Sequence, residues 1–150
     1  MKNIVRIATL LLVLALSLPA LAESEKCNAI PWGEQISAVE QIEFSHTTGD
    51  IRFYKVTKVE ACGINKIEDT RVIYGFRENR LYATFIEIDR AKHLGQVAGL
   101  LIDKYGLPDT KTEGGWDVYR WETDTLKIKL KSEYSTDRIK IGIYYKPLAP

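Results

Sequence analysis

Two stretches near the C-terminus decide the fold: Leu126-Lys127-Ile128-Lys129-Leu130-Lys131 and Ile139-Lys140-Ile141-Gly142-Ile143-Tyr144-Tyr145. In both, apolar residues alternate with charged or small ones. Successive side chains of a β-strand point to opposite faces of a sheet, so this alternation predicts strands with one buried face and one face in water. Together with the segment that starts at Trp116, they predict three consecutive strands over residues 116–145.

The first 22 residues have the composition of a cleaved secretory signal peptide. Lys2 and Arg6 form a charged n-region, Ile7–Leu18 is an apolar run of 12 residues, and Pro19-Ala20-Leu21-Ala22 ends in a small-x-small cleavage pattern. A membrane-spanning helix needs about 20 apolar residues, so an uncleaved anchor is the less favoured alternative. No cysteine stands at the cleavage point, so we do not expect a lipoprotein. The sequence predicts a periplasmic or secreted protein with one domain, residues 23–150.

Net charge and cysteine usage limit the possible partners. Without residues 1–22, which carry two cations and no carboxylate, the formal charge falls from +1 to −1. Overall charge therefore predicts no partner, and nucleic acid does not fit an exported protein. Two cysteines in an exported chain most simply form one disulfide, Cys27 to Cys62. The absence of Cys-x-x-Cys spacing argues against a redox pair.

The N-terminal half is predicted to begin with a short helix. Trp32, Ile36 and Val39 recur at i, i+4 and i+7, which is typical of a helix face, and this helix would end near Gln41. Residues 51–59 are rich in β-branched and aromatic side chains and predict a strand.

A longer helix is predicted over residues 89–105, with Asp89 as its N-cap. Its apolar stripe comprises Leu94, Val97, Ala98, Leu101 and Tyr105. The segment Tyr105-Gly106-Leu107-Pro108 ends the helix, because it supplies a left-handed glycine, an apolar contact and then a proline. Residues 109–115 are predicted to be a loop.

Residues 71–76 and 81–88 predict a hairpin that turns at Glu78-Asn79. Both of its faces are partly apolar, so the sequence alone does not decide which one is buried. The order helix, strands, helix, strands predicts an α+β domain in which two helices pack on an antiparallel sheet, arranged as two helix–meander halves.

This plan resembles the tandem helix-plus-sheet proteins of the β-lactamase-inhibitor-protein type and the small outer-membrane assembly lipoproteins of the BamE/SmpA type. The resemblance rests on Tyr105-Gly106-Leu107-Pro108 and the hairpin strands that follow it. The lipoprotein cysteine of the second group is missing here. The resemblance implies a binding module whose open sheet face meets another protein, and it transfers no catalytic residue to this chain.

The outward face of the last three strands is the strongest functional signal. A tight turn at Thr123-Asp124 would pair Trp121 with Leu126, and the next hairpin would pair Leu130 with Ile139. These registers place six cations and two aromatic residues on one face: Arg120, Lys127, Lys129, Lys131, Arg138, Lys140, Trp116 and Tyr144. Either this face is simply solvated, or it binds an acidic envelope protein, an anionic lipid or a glycan. The aromatic residues of the region would serve as core and rim packing or as a platform for a sugar.

No motif predicts an enzyme, a metal or a cofactor. Glu87, Asp89 and His93 could suggest an acid–base or metal site, but an N-cap aspartate and an exposed first-turn histidine are the favoured explanation, because a metal needs three or four ligands. The sequence therefore predicts an exported, non-enzymatic interaction module. A small-ligand carrier and an enzyme without a recognisable motif are the alternatives.

Overall fold

The computed structural model describes residues 28–57 and 61–150, apart from the side chains of Glu133 and Tyr134. The predicted signal peptide and Cys27 lie outside the described residues. The proposed Cys27–Cys62 disulfide therefore stays a prediction. Cys62 packs partly buried against the core, and no cysteine in the described part is free.

The described chain forms one eight-stranded antiparallel sheet and one α-helix. The strands are β1 Ile42–Thr48, β2 Ile51–Val56, β3 Thr70–Arg77, β4 Arg80–Ile88, β5 Asp109–Glu113, β6 Trp116–Glu122, β7 Leu126–Glu133 and β8 Arg138–Tyr145, and the helix α1 is Leu94–Tyr105. Their order across the sheet is β1-β2-β3-β4-β8-β7-β6-β5. Two four-stranded meanders thus meet at β4 and β8, and α1 carries the chain from the centre of the sheet to its far edge.

The prediction of two helices packed on the sheet is wrong, because the first helix does not form. Within the segment predicted to be helical, only a 3-10 turn, Ile36–Ala38, is present. Gly33 adopts φ 77°, and its N–H donates to the carbonyl of Leu81 at 3.0 Å. The N–H of Leu81 in turn donates to the carbonyl of Glu34 at 2.8 Å. Backbone groups that a helix would pair internally are therefore bonded to the β3–β4 hairpin.

Helix α1 ends as predicted but starts later. A 3-10 turn, Ala91–His93, precedes it, and Asp89 does not cap it. The carboxylate of Asp89 instead accepts hydrogen bonds from Arg71 at 2.6 and 2.9 Å. At the other end, the N–H of Gly106 (φ 82°) donates to the carbonyl of Ile102. Leu107 is 87% exposed, so the expected apolar contact after the helix is absent.

One face of the sheet carries the core. Val97 and Leu101 of α1 are fully buried in one cluster with the inward residues of both meanders, which include Tyr74, Phe76, Leu81, Ile86, Ile88, Ile128, Leu130, Ile139, Ile141 and Ile143. The indole N–H of Trp121 donates to the carbonyl of Gly106 at 2.7 Å and ties β6 to the end of α1. This settles the face of the β3–β4 hairpin that the sequence left open. The hairpin turns, as predicted, at Glu78 and Asn79, which both have positive φ, as a two-residue turn of this type requires.

Both edge strands were missed by the sequence patterns. Strand β1 follows directly after the predicted end of the first helix, where no strand was expected, and β5 lies where a loop was expected. The five residues of β5 are Asp-Thr-Lys-Thr-Glu, and four of them are exposed. An edge strand of this kind has no apolar alternation to detect. None of the helices in the described part is long and apolar enough to cross a bilayer.

Candidate functional site

The sheet face opposite the core cluster and α1 is here called the open face. Because side chains alternate along each strand, the residues between the buried ones all point to it. On β6, β7 and β8 they include Val118, Glu122 and all the cations and aromatic residues singled out from the sequence: Trp116, Arg120, Lys127, Lys129, Lys131, Arg138, Lys140 and Tyr144. The structure places all eight on one side of the sheet.

The rows across this face differ from those predicted. Trp121 lies opposite Ile128 rather than Leu126, and Leu130 lies opposite Ile141 rather than Ile139. Each predicted register is wrong by two residues. A shift of two keeps every side chain on its face and changes only its neighbours. Lys131 therefore lies directly opposite Lys140, and Lys129 opposite Gly142.

Glu113 of β5 neutralises one part of the cationic region. Its carboxylate pairs with the ammonium of Lys111, with Arg120 at 2.7 Å and with Lys129 at 3.3 Å. Hydrogen bonding from Lys111, with further contributions from Lys129 and Arg120, lowers the pKa of Glu113 to about 2. This carboxylate is therefore charged at all physiological pH values. Sequence reasoning missed it, because it lies on the strand taken for a loop.

A second group of cations on the open face has neighbouring carboxylates but no ion pair with them: Glu122 lies opposite Lys127, and Glu87 lies opposite Lys140. Among the described side chains, none of Lys127, Lys131 and Lys140 forms a salt bridge. The ammonium groups of Lys131 and Lys140 lie 6.0 and 5.8 Å from the ring centroid of Trp116. Partial burial lowers the pKa of Lys131, and the neighbouring charge of Lys129 lowers it further. Two like charges opposite each other cost free energy in a sheet, so these lysines form an electrostatically unfavourable pair.

The other half of the open face is aromatic and aliphatic. Phe85 of β4 makes edge-to-face ring contacts with Phe53 at 5.6 Å and with Tyr144 at 5.5 Å between centroids. Ile73 lies opposite Phe85 on β3, and Lys55 lies opposite Ile73 on β2. We call Phe53, Ile73, Phe85 and Tyr144 the aromatic patch. It adjoins the cations without a break, because β8 pairs with β4 on one side and with β7 on the other.

Tyr144 is positioned by a glycine. It lies two residues after Gly142 on the same face, and a Cβ built on Gly142 would lie 2.7 Å from the Tyr144 hydroxyl. The ring therefore lies along its own strand and covers the glycine. Burial raises the pKa of Tyr144 above its usual value.

Two adjoining concavities lie on the cationic half. One, of about 160 Å³, is lined by Phe85, Ile86, Glu87, Lys129, Lys131, Lys140, Ile141, Gly142 and Tyr144. The other, of about 420 Å³, is lined by Asp109, Arg120, Trp121, Glu122, Lys127, Ile128, Lys129 and Tyr144. Lys129 and Tyr144 line both, so the concave region continues across β7 and β8.

The acid–base candidate from the sequence is an ion-pair group. Arg71 lies between Asp89 at 2.6 Å and Glu87 at 3.3 Å, and Arg138 approaches Asp89 at 4.0 Å. Hydrogen bonding from Arg71 lowers the pKa of Asp89, so this carboxylate is stabilised in its charged form. The part of the chain that the structure describes contains no group of three or more side chains arranged to hold a metal ion. Comparison with protein-family models, with curated proteins and with solved structures gave no significant match.

Proposed function

We propose that the protein is an exported, non-enzymatic binding module whose open face docks onto an acidic surface of a partner protein. The observation that carries this proposal is the group Lys127, Lys131 and Lys140, which share the open face and form no salt bridge with any described side chain. Glu122 lies opposite Lys127 and Glu87 lies opposite Lys140, but these carboxylates pair with Lys146 and Arg71 instead. A partner with carboxylates at these positions would relieve the repulsion between Lys131 and Lys140 and would gain attraction from all three.

The extent and composition of the open face favour a protein as the partner. Eight strands at spacings of about 4.8 Å span about 34 Å, and strands of about six residues are about 20 Å long. The resulting area of about 700 Å² approaches the roughly 800 Å² that each side of a standard interface buries. The aromatic patch beside the cations matches the combination of aromatic centre and charged surroundings that protein interfaces use. We therefore favour a protein over an anionic lipid surface or a glycan, because a protein partner uses the cations and the patch together over this whole area.

The proposal also includes the cell compartment in which the protein acts. The predicted signal peptide at residues 1–22 favours the periplasm or the extracellular space, and a Cys27–Cys62 disulfide would be stable there. Mass spectrometry of the secreted chain under non-reducing conditions tests both points. Cleavage after Ala22 and a mass two hydrogens lower than that of the reduced chain are the expected results, and an intact N-terminus with two free thiols would contradict them.

The first test is site-specific photocross-linking in the cells that produce the protein. A photoreactive residue replaces Lys140 on the open face or Lys92, an exposed residue on the 3-10 turn before α1. We expect a discrete cross-linked protein from position 140 and none from position 92, and we expect the product to disappear when the salt concentration is raised before irradiation, since exposed charge pairs are screened. Equal cross-linking from both positions, or a product insensitive to salt, would refute docking through the cationic half.

A further inference from the structure

The smaller concavity on the open face has the features of a site that binds one side chain of a partner protein. It lies beside Gly142, between Phe85 on β4 and Lys129 on β7, where the Tyr144 ring occupies the space that a side chain at position 142 would take. We call it the Gly142 notch. The rings of Phe85 and Tyr144 form one side of it, and three lysines, Lys129, Lys131 and Lys140, approach from the other. Glu87 is the one carboxylate among its lining residues, and it is already paired with Arg71.

The same face already shows how it holds a carboxylate. Glu113 receives one cation from its own strand and two from β6 and β7, and their hydrogen bonds and charges lower its pKa to about 2. Lys131 and Lys140 lie in the next row of the same sheet, over the Trp116 ring. Glu87 lies opposite Lys140 and the charge of Glu113 acts on Lys131, but neither lysine forms a salt bridge with a described carboxylate. The geometry of Glu113 is therefore an intramolecular example of the contact that these two lysines lack.

We propose that the Gly142 notch takes one glutamate or aspartate side chain of the partner protein, with its carboxylate between Lys131 and Lys140 and its methylene groups against Phe85 and Tyr144. This inference rests on the proposed function and names the contact at its centre. The volume of about 160 Å³ suits one side chain. It is smaller than the roughly 300–1,000 Å³ of pockets that bury a small-molecule ligand.

The charge and the shape of the Gly142 notch both favour a glutamate or aspartate side chain over other groups. The ammonium group of Lys131 is partly withdrawn from water and binds a carboxylate more strongly than a fully hydrated one does, while the exposed Lys140 adds a second positive charge. The apolar walls favour a carboxylate attached to a short aliphatic stem over a fully hydrated anion. Gly142 is essential to the shape, because a methyl group there would collide with the Tyr144 ring.

The test is a nuclear magnetic resonance titration of the ¹⁵N-labelled chain with acetyl-Gly-Glu-Gly-amide and with its neutral counterpart, acetyl-Gly-Gln-Gly-amide. We expect saturating shifts of the backbone amides of Lys131, Ile141 and Gly142 with the glutamate peptide alone. The variant Lys131→Gln/Lys140→Gln should weaken this binding at least tenfold. The variant Lys55→Gln/Lys127→Gln, which removes two cations of the open face outside the notch, should change it less than twofold.

Gly142→Ala is the shape variant, and its melting temperature checks that the sheet still forms. If it folds, it should lose the saturating shifts although every lysine is present. Shifts that persist in Lys131→Gln/Lys140→Gln, or that centre on Arg120 and Lys127, would contradict binding of a carboxylate in the Gly142 notch. They would not contradict docking through the open face. The proposed function fails on separate results, namely no cross-linking from position 140, equal cross-linking from positions 140 and 92, or a product insensitive to salt, so the two failures are distinguishable.

Discussion

The two halves of the sheet bury the same kinds of residue on the core face but present different residues on the open face. In the β1–β4 half the apolar residues Phe53, Ile73 and Phe85 lie outward among charged residues that pair with one another, such as Lys55 with Glu43 and Arg71 with Glu87. In the β5–β8 half lysine and arginine outnumber the carboxylates on the outward face, and three lysines there form no salt bridge with a described side chain: Lys127, Lys131 and Lys140. Both halves fold by burying apolar side chains on the core face. Folding therefore does not dictate which residues lie on the open face. The difference between the halves is therefore the feature that function has to explain.

The largest expected effect is a difference in the free energy of unfolding between substitutions on the two faces of strand β7. Ile128→Ala removes a fully buried side chain and should lower the free energy of unfolding by about 2–5 kcal/mol. Lys127→Ala, one residue away on the open face, should change it by about 0.5 kcal/mol or less. Urea unfolding followed by circular dichroism measures both. Similar losses for the two variants would show that β7 does not have one buried and one exposed face.

A smaller effect should distinguish the aromatic patch from its surroundings. Phe85→Leu keeps an apolar side chain but removes the ring contacts to Phe53 and Tyr144, and should lower the free energy of unfolding by about 1–2 kcal/mol. Ile73→Val, at the neighbouring position on β3, is the control and should cost about 1 kcal/mol or less. If Phe85→Leu proves as mild as the control, the patch is not a preorganised surface.

The smallest expected effect is a change in how the melting temperature depends on pH under acid conditions. Because the pKa of Glu113 is lowered to about 2 from an ordinary 4.5, its ion pairs stabilise the fold above about pH 4.5 and lose this contribution as the pH falls toward 2. Glu113→Gln should therefore lower the melting temperature at pH 6, and the difference from the unmodified chain should shrink toward pH 2. Glu40→Gln, at an exposed position before β1, is the control. A difference that does not depend on pH would mean that the carboxylate is not held by its cations.

Alternation along the strands allowed the open face to be predicted, whereas register could not be predicted. Lys127, Lys129 and Lys140 lie on one face, because the period of two is a local property of the chain. Which lysine lies opposite which depends on turn geometry, and a slip of two residues is invisible to that period. For this reason the Lys131–Lys140 pair and the position of Gly142 between Phe85 and Lys129 emerged only from the structure.

The errors in the fold have a different cause, since they concern segments held by distant contacts. Residues 33–36 have the spacing of a helix face, but their backbone groups bond to Asn79 and Leu81 in the β3–β4 hairpin. Strand β5 has almost no apolar residues, and pairing with β6 alone makes it a strand. Glu113, the carboxylate that pairs with Lys111, Arg120 and Lys129, was missed for that reason. Local patterns cannot report contacts that form only when the sheet assembles.

The central claim is that the cations of the open face bind the partner, and a matched pair of charge reversals tests it most directly. Lys131→Glu/Lys140→Glu reverses two charges on the open face, while Lys66→Glu/Lys92→Glu reverses two exposed charges on the 3-10 turns that flank the core face. We predict that isothermal titration with the cross-linked partner shows at least a 30-fold loss of affinity for the first variant and less than twofold for the second. Equal affinities for the two variants would contradict the account.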